Sequence, residues 1–209
     1  MTELSHIHRF APGNRREAAP ILLLHGTGGD ENDLLPLGEA IAPGATLLSA
    51  RGKVLEHGMP RFFRRLAEGV FDEADVIQRA NDLADFVIAA RKRYDLAAPI
   101  ALGYSNGANI AAAMMLLRPE ALAGGILLRA MVPLSVTPKA DFTGKPVLIV
   151  SGQSDPIIPS SNSAKLADTL AMAGANVEHK VLPLGHQLSS MDVSVAKTWL
   201  QGVEAAAVG

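Results

Sequence analysis

The feature that most constrains the fold of this chain is an alternation of short apolar runs with longer segments of helical periodicity. The apolar runs are rich in Val, Ile and Leu, and Ile21–Leu24 and Val147–Val150 are the clearest examples. Runs that are apolar at every position indicate strands buried on both faces, as in a parallel sheet covered by helices. The alternation therefore predicts an α/β fold with a mostly parallel, doubly wound sheet and helices on both faces.

The predicted elements follow one another along all 209 residues without an internal repeat or a convincing linker. We therefore expect a single domain over residues 1–209. The predicted strands are Ile21–Leu24, Thr46–Ala50, Pro99–Gly103, Gly125–Leu128, Val147–Val150 and Val177–Leu182. The predicted helices are Glu31–Ile41, Asp72–Tyr94, Asn106–Leu117, Ser163–Ala173 and Ser190–Leu200.

Two stretches, Arg51–Gly69 and Ala130–Gly144, interrupt this rhythm with glycines and prolines and are predicted to be irregular. Both follow strands at the carboxyl edge of the predicted sheet, which is where open parallel sheets bind their ligands. We expect both stretches to wall a pocket. Neither insertion is long enough to form a helical lid domain, so we expect an open pocket that favours short or medium acyl groups.

The composition excludes several classes of function. Hydrophobic residues make up 48% of the chain and charged residues 19%, which argues against a disordered protein. A net charge of -2 and 4% aromatic residues offer no surface for nucleic acid. Cysteine is absent, which excludes disulfides, thiolate metal sites and a cysteine nucleophile. Because Met1–Pro12 lacks the apolar core of a secretory signal and no apolar stretch approaches about 18 residues, we expect a soluble, cytoplasmic protein that does not bind membranes.

The candidate nucleophile is Ser105, at the centre of the G-x-S-x-G match GYSNG at 103–107. The chemistry requires this motif at a sharp turn between a strand and a helix, where small neighbours avoid clashes and the hydroxyl is exposed. An apolar run precedes the motif and an alanine-rich segment follows it, as required. The alternative is a strand-to-helix turn that uses small residues only in order to turn.

A serine hydroxyl needs a base, and the base needs a group that orients it. Of the six histidines, His186 is the best placed, because it follows a predicted strand and Gly185 frees the local backbone, whereas His179 lies in mid-strand. Asp155 follows another strand and precedes a proline, which favours an extended backbone. Taken singly, His186 could be an ordinary loop histidine and Asp155 a turn aspartate. Three aspartates compete less well, since one lies in an irregular stretch and two on helices: Asp141, Asp168 and Asp192.

An oxyanion hole needs two backbone N–H groups, one after the nucleophile and one from an early strand-to-helix loop. Asn106 supplies the first, and Thr27 in the loop HGTGGD at 25–30 is predicted to supply the second. This glycine-rich loop is not a phosphate cradle, because G-x-x-x-x-G-K-[ST] is absent and Glu31 stands where a G-x-G-x-x-G motif needs glycine. The sequence also lacks metal-binding spacings such as H-E-x-x-H.

Together these motifs resemble the phospholipase/carboxylesterase family of small α/β-hydrolases, which is related to the dienelactone hydrolases and the acyl-protein thioesterases. The resemblance extends from about residue 20 to residue 200 and rests on LHGTGGD at 24–30, RG at 51–52, FFRR at 62–65, GYSNGAN at 103–109, GQSDP at 152–156 and GH at 185–186. It implies an α/β-hydrolase fold, a Ser-Asp-His triad, a small-molecule ester or thioester substrate and no cofactor. Homodimers are frequent in the family.

The chain departs from related enzymes at two points. Dienelactone hydrolases use a cysteine, so their lactone chemistry is not implied here. The segment Arg129–Leu134 replaces a serine-glycine turn, so we expect an altered acyl pocket with Met131 in contact with substrate. Arg61 is a second candidate for substrate binding. Its cluster with Arg64 and Arg65 could bind an anionic substrate, or could pair with nearby acids, namely Glu56, Glu68 and Asp72.

The sequence thus predicts a serine hydrolase that cleaves carboxylic esters or thioesters through Ser105, His186 and Asp155. Two alternatives stay open. A protein of this fold could bind a small ligand without catalysis, although such proteins usually lose a triad residue or an elbow glycine. The same residues could also transfer the acyl group to an acceptor other than water.

Overall fold

The computed structural model describes residues 4–15, 17–136 and 141–208. The strands are β1 His8–Ala11, β2 Ile21–Leu24, β3 Leu47–Ala50, β4 Val54–Glu56, β5 Met59–Arg61, β6 Arg65–Ala67, β7 Val70–Phe71, β8 Ile100–Tyr104, β9 Gly124–Leu128, β10 Pro146–Gly152 and β11 Asn176–Leu182. The helices are α1 Leu35–Ile41, α2 Glu73–Tyr94, α3 Asn106–Leu117, α4 Ser160–Met172 and α5 Ser190–Val208, with a short 3₁₀ turn at Pro119–Ala121.

Seven strands form the central sheet in the order β1-β3-β2-β8-β9-β10-β11. Every neighbouring pair is parallel except β1 and β3, which run antiparallel at one edge. The predicted mostly parallel, doubly wound sheet is therefore confirmed. The inner strands β2, β3 and β9 are buried at every position, as their apolar sequences require, whereas the edge strand β11 is largely exposed.

Helices cover both faces of this sheet, and successive strand residues divide between two cores. On β2, Leu22 and Leu24 face the core that contains α2, α3 and α4. Ile21 and Leu23 face the opposite core, which contains α1 and α5. Burial on both faces fixes the register of each strand, because a slip of one residue would exchange the two cores.

Local sequence explains the long helix α2. The side chain of Asp72 caps its N-terminus by accepting a hydrogen bond from the amide of Asp75. The spaced apolar residues Val76, Leu83 and Val87 are all buried against the sheet.

The structure differs from the predicted elements in three main places, besides shifts at element ends such as that of α5, which continues to Val208 instead of ending at Leu200. The antiparallel edge strand β1 was not predicted. The helix predicted from Glu31 begins instead at Leu35, after a turn, and Pro36 occupies its first turn. The segment Arg51–Gly69, predicted to be irregular, forms the hairpin β4–β5 and the first strand of the hairpin β6–β7. Part of the other irregular segment, residues 137–140, lies outside the described residues.

The parallel strands all end at one edge of the sheet, and the loops that follow them carry the candidate site residues. Thr27 follows β2, Ser105 follows β8, Asp155 follows β10 and His186 follows β11. Among the described residues, no helix combines the length and the apolar character that a membrane crossing requires.

Candidate active site

Ser105 occupies a strained turn between β8 and α3. Its backbone angles are φ 50° and ψ −112°, which lie outside the regions that L-residues ordinarily adopt. Glycine is required on both sides by close approach. A Cβ at Gly103 would lie 2.6 Å from the carbonyl oxygen of Gly107, and a Cβ at Gly107 would overlap the carbonyl oxygen of Leu24. The turn therefore holds the Ser105 hydroxyl at the carboxyl edge of the sheet.

The structure brings Ser105, His186 and Asp155 together. Ser105 Oγ lies 3.0 Å from His186 Nε2, and His186 Nδ1 lies 2.8 Å from Asp155 Oδ2. These residues come from three separate loops and are up to 81 positions apart in sequence. They form one continuous chain of hydrogen bonds.

The local turn fixes the carboxylate of Asp155, whose side chain is 1% exposed. Oδ1 accepts hydrogen bonds from the amides of Ile157, at 2.8 Å, and Ile158, at 3.0 Å. Burial alone would raise the pKa of Asp155. Hydrogen bonds from the Ile158 amide, His186 and the Ile157 amide outweigh that effect and hold its pKa below the usual value.

The ionised state of Asp155 decides the tautomer of His186. A carboxylate can only accept hydrogen bonds, so Nδ1 of His186 carries the proton that is donated to Asp155. Nε2 is then the acceptor for the Ser105 hydroxyl. This arrangement leaves Nε2 free to take a proton from the serine.

The loop that contains Thr27 is held from two sides. His25 donates from Nδ1 to the carbonyl of Gly26 at 2.6 Å, and its Nε2 accepts from the amide of Gly52 at 3.0 Å. The amide of Gly28 donates to the carbonyl of Pro60 in the β4–β5 hairpin at 3.0 Å. Burial lowers the pKa of His25, which favours the neutral ring that these two bonds require.

Asn106 is the first residue of α3, so its backbone N–H belongs to the first turn, where intrahelical partners are lacking. The positive end of the α3 helix dipole lies at this same first turn. The side chain of Asn106 is buried and accepts from the amide of Phe62 at 2.7 Å. This contact ties the start of α3 to the segment that follows the β4–β5 hairpin.

One pocket of about 280 Å³ contains most of the predicted site residues. Its lining includes Ser105, His186, Thr27, Asn106, Met131 and Arg61. Phe71, Ile157 and Ile158 contribute apolar side chains to the same lining. Asp155 is absent from this lining because it lies behind His186. The segments 51–69 and 130–144 contribute to the wall, as the sequence predicts.

The arginine cluster is paired with acids of the same region. Arg64 lies 2.8 Å from Asp72, and Arg65 lies 3.0 Å from Glu56. Arg61 is buried, and its Nη1 donates to Thr27 Oγ1 at 2.6 Å and lies 3.4 Å from Glu56. These contacts favour pairing over the recognition of an anionic substrate. They also link Arg61 to the loop that contains Thr27.

A second serine–histidine pair lies elsewhere in the molecule. Ser151 Oγ, on β10, is 2.8 Å from Nε2 of His179 on β11. Neither residue lines the pocket that contains Ser105. Both lie within strands, and the structure agrees with the interpretation of His179 as a mid-strand residue.

Sequence reasoning missed Tyr104 as a neighbour of His186. Its hydroxyl donates to the carbonyl of His186 at 3.2 Å, and the two rings are 5.6 Å apart. The variable position before the nucleophile in G-x-S-x-G carries no signal for such a contact. A larger groove of about 1200 Å³ lies between β11 and α5, but none of the predicted site residues lines it.

Within the described part of the chain, no group of three or more His, Cys, Asp or Glu side chains is arranged to hold a metal ion.

The chain is similar to known hydrolases over most of its length. The family model for phospholipases and carboxylesterases matches residues 6–203. MhqD of Bacillus subtilis (strain 168), a protein named as a hydrolase, is 45% identical to this chain over 181 residues. The match covers 86% of this chain and 90% of that protein.

Solved structures show the same similarity. The carboxylesterase of Bacillus cereus is 46% identical, with a TM-score of 0.92 over 95% of this chain and 94% of that one. The carboxylesterase of Mesorhizobium loti is 33% identical, with a TM-score of 0.91 over 97% of each chain. The protein therefore has the α/β-hydrolase fold and belongs to the phospholipase/carboxylesterase family.

Proposed function

We propose that this protein hydrolyses carboxylic esters or thioesters of small to medium acyl groups, with Ser105 as nucleophile, His186 as general base and acid, and Asp155 as the group that orients His186. The observation that carries the proposal is the chain of hydrogen bonds of 3.0 Å and 2.8 Å that joins the three side chains. Nucleophile, base and orienting group in this geometry are the requirement for acyl transfer to serine.

In the proposed reaction, Ser105 Oγ attacks the carbonyl carbon of the ester while its proton passes to His186 Nε2. The backbone N–H groups of Thr27 and Asn106 would stabilise the negative oxygen of the tetrahedral intermediate. His186 then gives its proton to the departing alcohol or thiol as the ester bond breaks. Water repeats the sequence on the acyl-enzyme and releases the acid and free serine.

The pocket supports a substrate of modest size. A volume of about 280 Å³ lies just below the range of about 300–1,000 Å³ that is usual for sites that bind small molecules. Phe71, Met131 and Ile157 offer apolar surface to an acyl chain. Because Arg61 is engaged by Thr27 and Glu56, the proposal does not require a charged substrate.

The first experiment measures hydrolysis of p-nitrophenyl esters and thioesters of varied acyl length by the protein and three variants. We expect Ser105→Ala and His186→Gln to lower kcat by several powers of ten, and Asp155→Asn to lower it by about 10²- to 10⁴-fold because the tautomer is no longer fixed. Equal rates for Ser105→Ala and the parent would refute the proposal.

The second serine–histidine pair provides matched controls. Ser151→Ala and His179→Gln break a hydrogen bond of similar length that lies outside the pocket, and we expect both variants to keep parental kcat. A loss of activity equal to that of Ser105→Ala would show that the assay reports damage to the sheet.

Labelling with a fluorophosphonate distinguishes catalysis from mere ligand binding. We expect one adduct, mapped by mass spectrometry to Ser105 and absent from Ser105→Ala and His186→Gln. A protein that binds ligands without an activated serine would show no adduct at this residue, and that result would favour the non-catalytic alternative.

A further inference from the structure

Arg129 is the most unusual side chain near the candidate site. It follows β9 directly, its backbone has φ 57° in the left-handed region, and its side chain is completely buried. Left-handed backbone is uncommon for a residue other than glycine. A completely buried guanidinium needs partners within the protein, so the contacts of Arg129 indicate what it does.

The donors of Arg129 are directed at the loop that carries His186. Nε donates to the carbonyl of Gly185 at 2.9 Å, and Nη2 donates to the carbonyl of Gln187 at 3.1 Å. The carbonyl between them, that of His186, accepts from Tyr104 at 3.2 Å. Three consecutive peptide carbonyls around the imidazole are thus held by two side chains.

Asp192, in the first turn of α5, neutralises Arg129 and is equally buried. Its Oδ1 and Oδ2 lie 2.7 Å and 3.2 Å from the guanidinium nitrogens. Oδ2 also accepts from the amide of Ser189 at 2.8 Å, at the far end of the same loop. The ion pair therefore fixes both the centre and the end of the loop.

A buried ion pair is weak evidence for stability, because the cost of removing two charges from water offsets their attraction. What this pair does provide is a fixed orientation for the peptide carbonyls that it binds. The guanidinium is planar and presents its donors in a fixed fork, so it defines the orientation of the carbonyls that it binds. A lysine or an apolar residue could fill the space but could not hold the two carbonyls on either side of His186.

We propose that Arg129, held in place by Asp192, is a positioning residue that orients the peptide bonds on either side of His186 and thereby aims the imidazole at Ser105 and Asp155. This inference rests on the proposed function. It assigns no contact between Arg129 and the substrate, and Arg129 does not line the pocket that contains Ser105.

The decisive variant is Arg129→Met/Asp192→Leu, which removes both charges while keeping most of the buried volume. Replacement of a buried ion pair by apolar residues is often neutral or stabilising, so we expect the melting temperature to stay within a few degrees of the parent. We expect kcat for p-nitrophenyl esters to fall about 10- to 100-fold and KM to change by less than about 2-fold, because the loop no longer fixes the imidazole.

Arg129→Lys is the second variant, because it keeps a cation for Asp192 but has a single nitrogen to serve the loop. We expect it to show a loss of kcat in the same range, about 10- to 100-fold. Leu166→Ala, in α4 on the opposite face of the sheet, is the control for instability. We expect it to lower the melting temperature while kcat at room temperature stays parental.

A spectroscopic readout tests the positioning independently of activity. The proton between His186 Nδ1 and Asp155 should give a low-field proton resonance in the parent and in Leu166→Ala. We expect that resonance to broaden or disappear in both Arg129 variants.

The outcomes separate the two proposals. If the parent and Ser105→Ala hydrolyse esters equally, the proposed function fails, while the resonance still reports on positioning. If the parent is active and the double variant keeps both parental kcat and the low-field resonance, the inference about Arg129 is overturned. An equal loss of kcat in Leu166→Ala would overturn it as well.

Discussion

His6 is a buried titratable group outside the candidate site, and it makes the stability of the protein depend on pH. The residue is 6% exposed, its ring centroid lies 4.9 Å from that of Phe86, and its Nδ1 lies 3.0 Å from Ser5 Oγ. Burial is the main cause that lowers the pKa of His6 from 6.5 to about 3. The positive charges of Lys53 and Arg79 act in the same direction.

The sign of the effect follows from proton uptake. Below about pH 6.5 the unfolded chain binds a proton at His6 that the folded protein does not bind, so the free energy of unfolding falls as the pH falls toward 3. The slope is about 1.4 kcal/mol per pH unit, which gives a loss of about 3 kcal/mol between about pH 7.5 and about pH 4.5. This interval stays above the folded pKa, so the loss is set almost entirely by the unfolded value.

The measurement compares urea denaturation, followed by circular dichroism, for the parent and His6→Phe at both pH values. Phenylalanine cannot titrate and can pack against Phe86 in place of the imidazole. We expect the parent to lose about 3 kcal/mol more than the variant on acidification, since the carboxylates that also titrate are common to both proteins.

His57→Gln is the matched control, because it removes a histidine that is exposed in the turn between β4 and β5. We expect its stability to depend on pH as that of the parent does. If acidification lowered the free energy of unfolding of the parent and of His6→Phe by the same amount, within about 0.5 kcal/mol, His6 would take up its proton without unfolding. That result would refute the reasoning from burial.

Three further predictions concern stability. We expect Gly107→Ala to cost more than about 2 kcal/mol and to abolish ester hydrolysis, because the added Cβ would overlap the carbonyl of Leu24; a variant with parental urea stability would contradict this. Gly202→Ala, on an open face of α5, should instead stabilise the protein by about 0.5–1 kcal/mol in the same assay. Arg64→Met removes the exposed ion pair with Asp72 and should leave the urea midpoint close to that of the parent; a clear fall in the midpoint would show that the pair is not screened by solvent.

The buried strands could be predicted from sequence because each one carries its own signal. A strand such as β2 is apolar at every position, so the parallel arrangement follows from its residues alone. The edge strand β1 pairs with only one neighbour and mixes polar and apolar residues, HRFA, so no buried run marks it. Its pairing with β3 is a contact between segments that are distant in sequence.

The predicted start of α1 was wrong for a similar reason, because the contact that holds Glu31 joins segments that are distant in sequence. Glu31 fits the helical period but is held by Arg51, 20 residues away, whose Nη2 donates to Oε1 at 2.9 Å. Asp30 accepts from the amide of Asn32 and closes a turn before the helix. The signal that was available is Pro36, since proline favours the first turn of a helix.

Candidate site residues that end a strand could be proposed from sequence, whereas those that support them could not. The loop positions of Ser105, Asp155 and His186 follow from the order of strands and turns. Asp192 looked less favourable than Asp155 because it lies on a helix, and its burial against Arg129, 63 residues away, cannot be inferred from either segment. Buried charges reveal their partners only in three dimensions.

The strand order explains why Arg129 can reach so many groups. β9 lies between β8, which leads to Ser105, and β10, which leads to Asp155, and it contributes no member of the proposed triad. Leu128 is in register with Tyr104 of β8 on one side and with Val150 of β10 on the other. The next residue, Arg129, therefore leaves the sheet between the loops that follow these two strands.

An arginine in this space is tolerated only with an acid beside it, because an unpaired buried charge destabilises the fold strongly. The first turn of α5 supplies that acid as Asp192, directly after the loop that carries His186. We therefore expect the two residues to change together: relatives without an arginine at the position of Arg129 should lack an acid at the position of Asp192. Alignment of such relatives checks this, and frequent retention of the acid without the arginine would contradict the pairing as the reason for either residue.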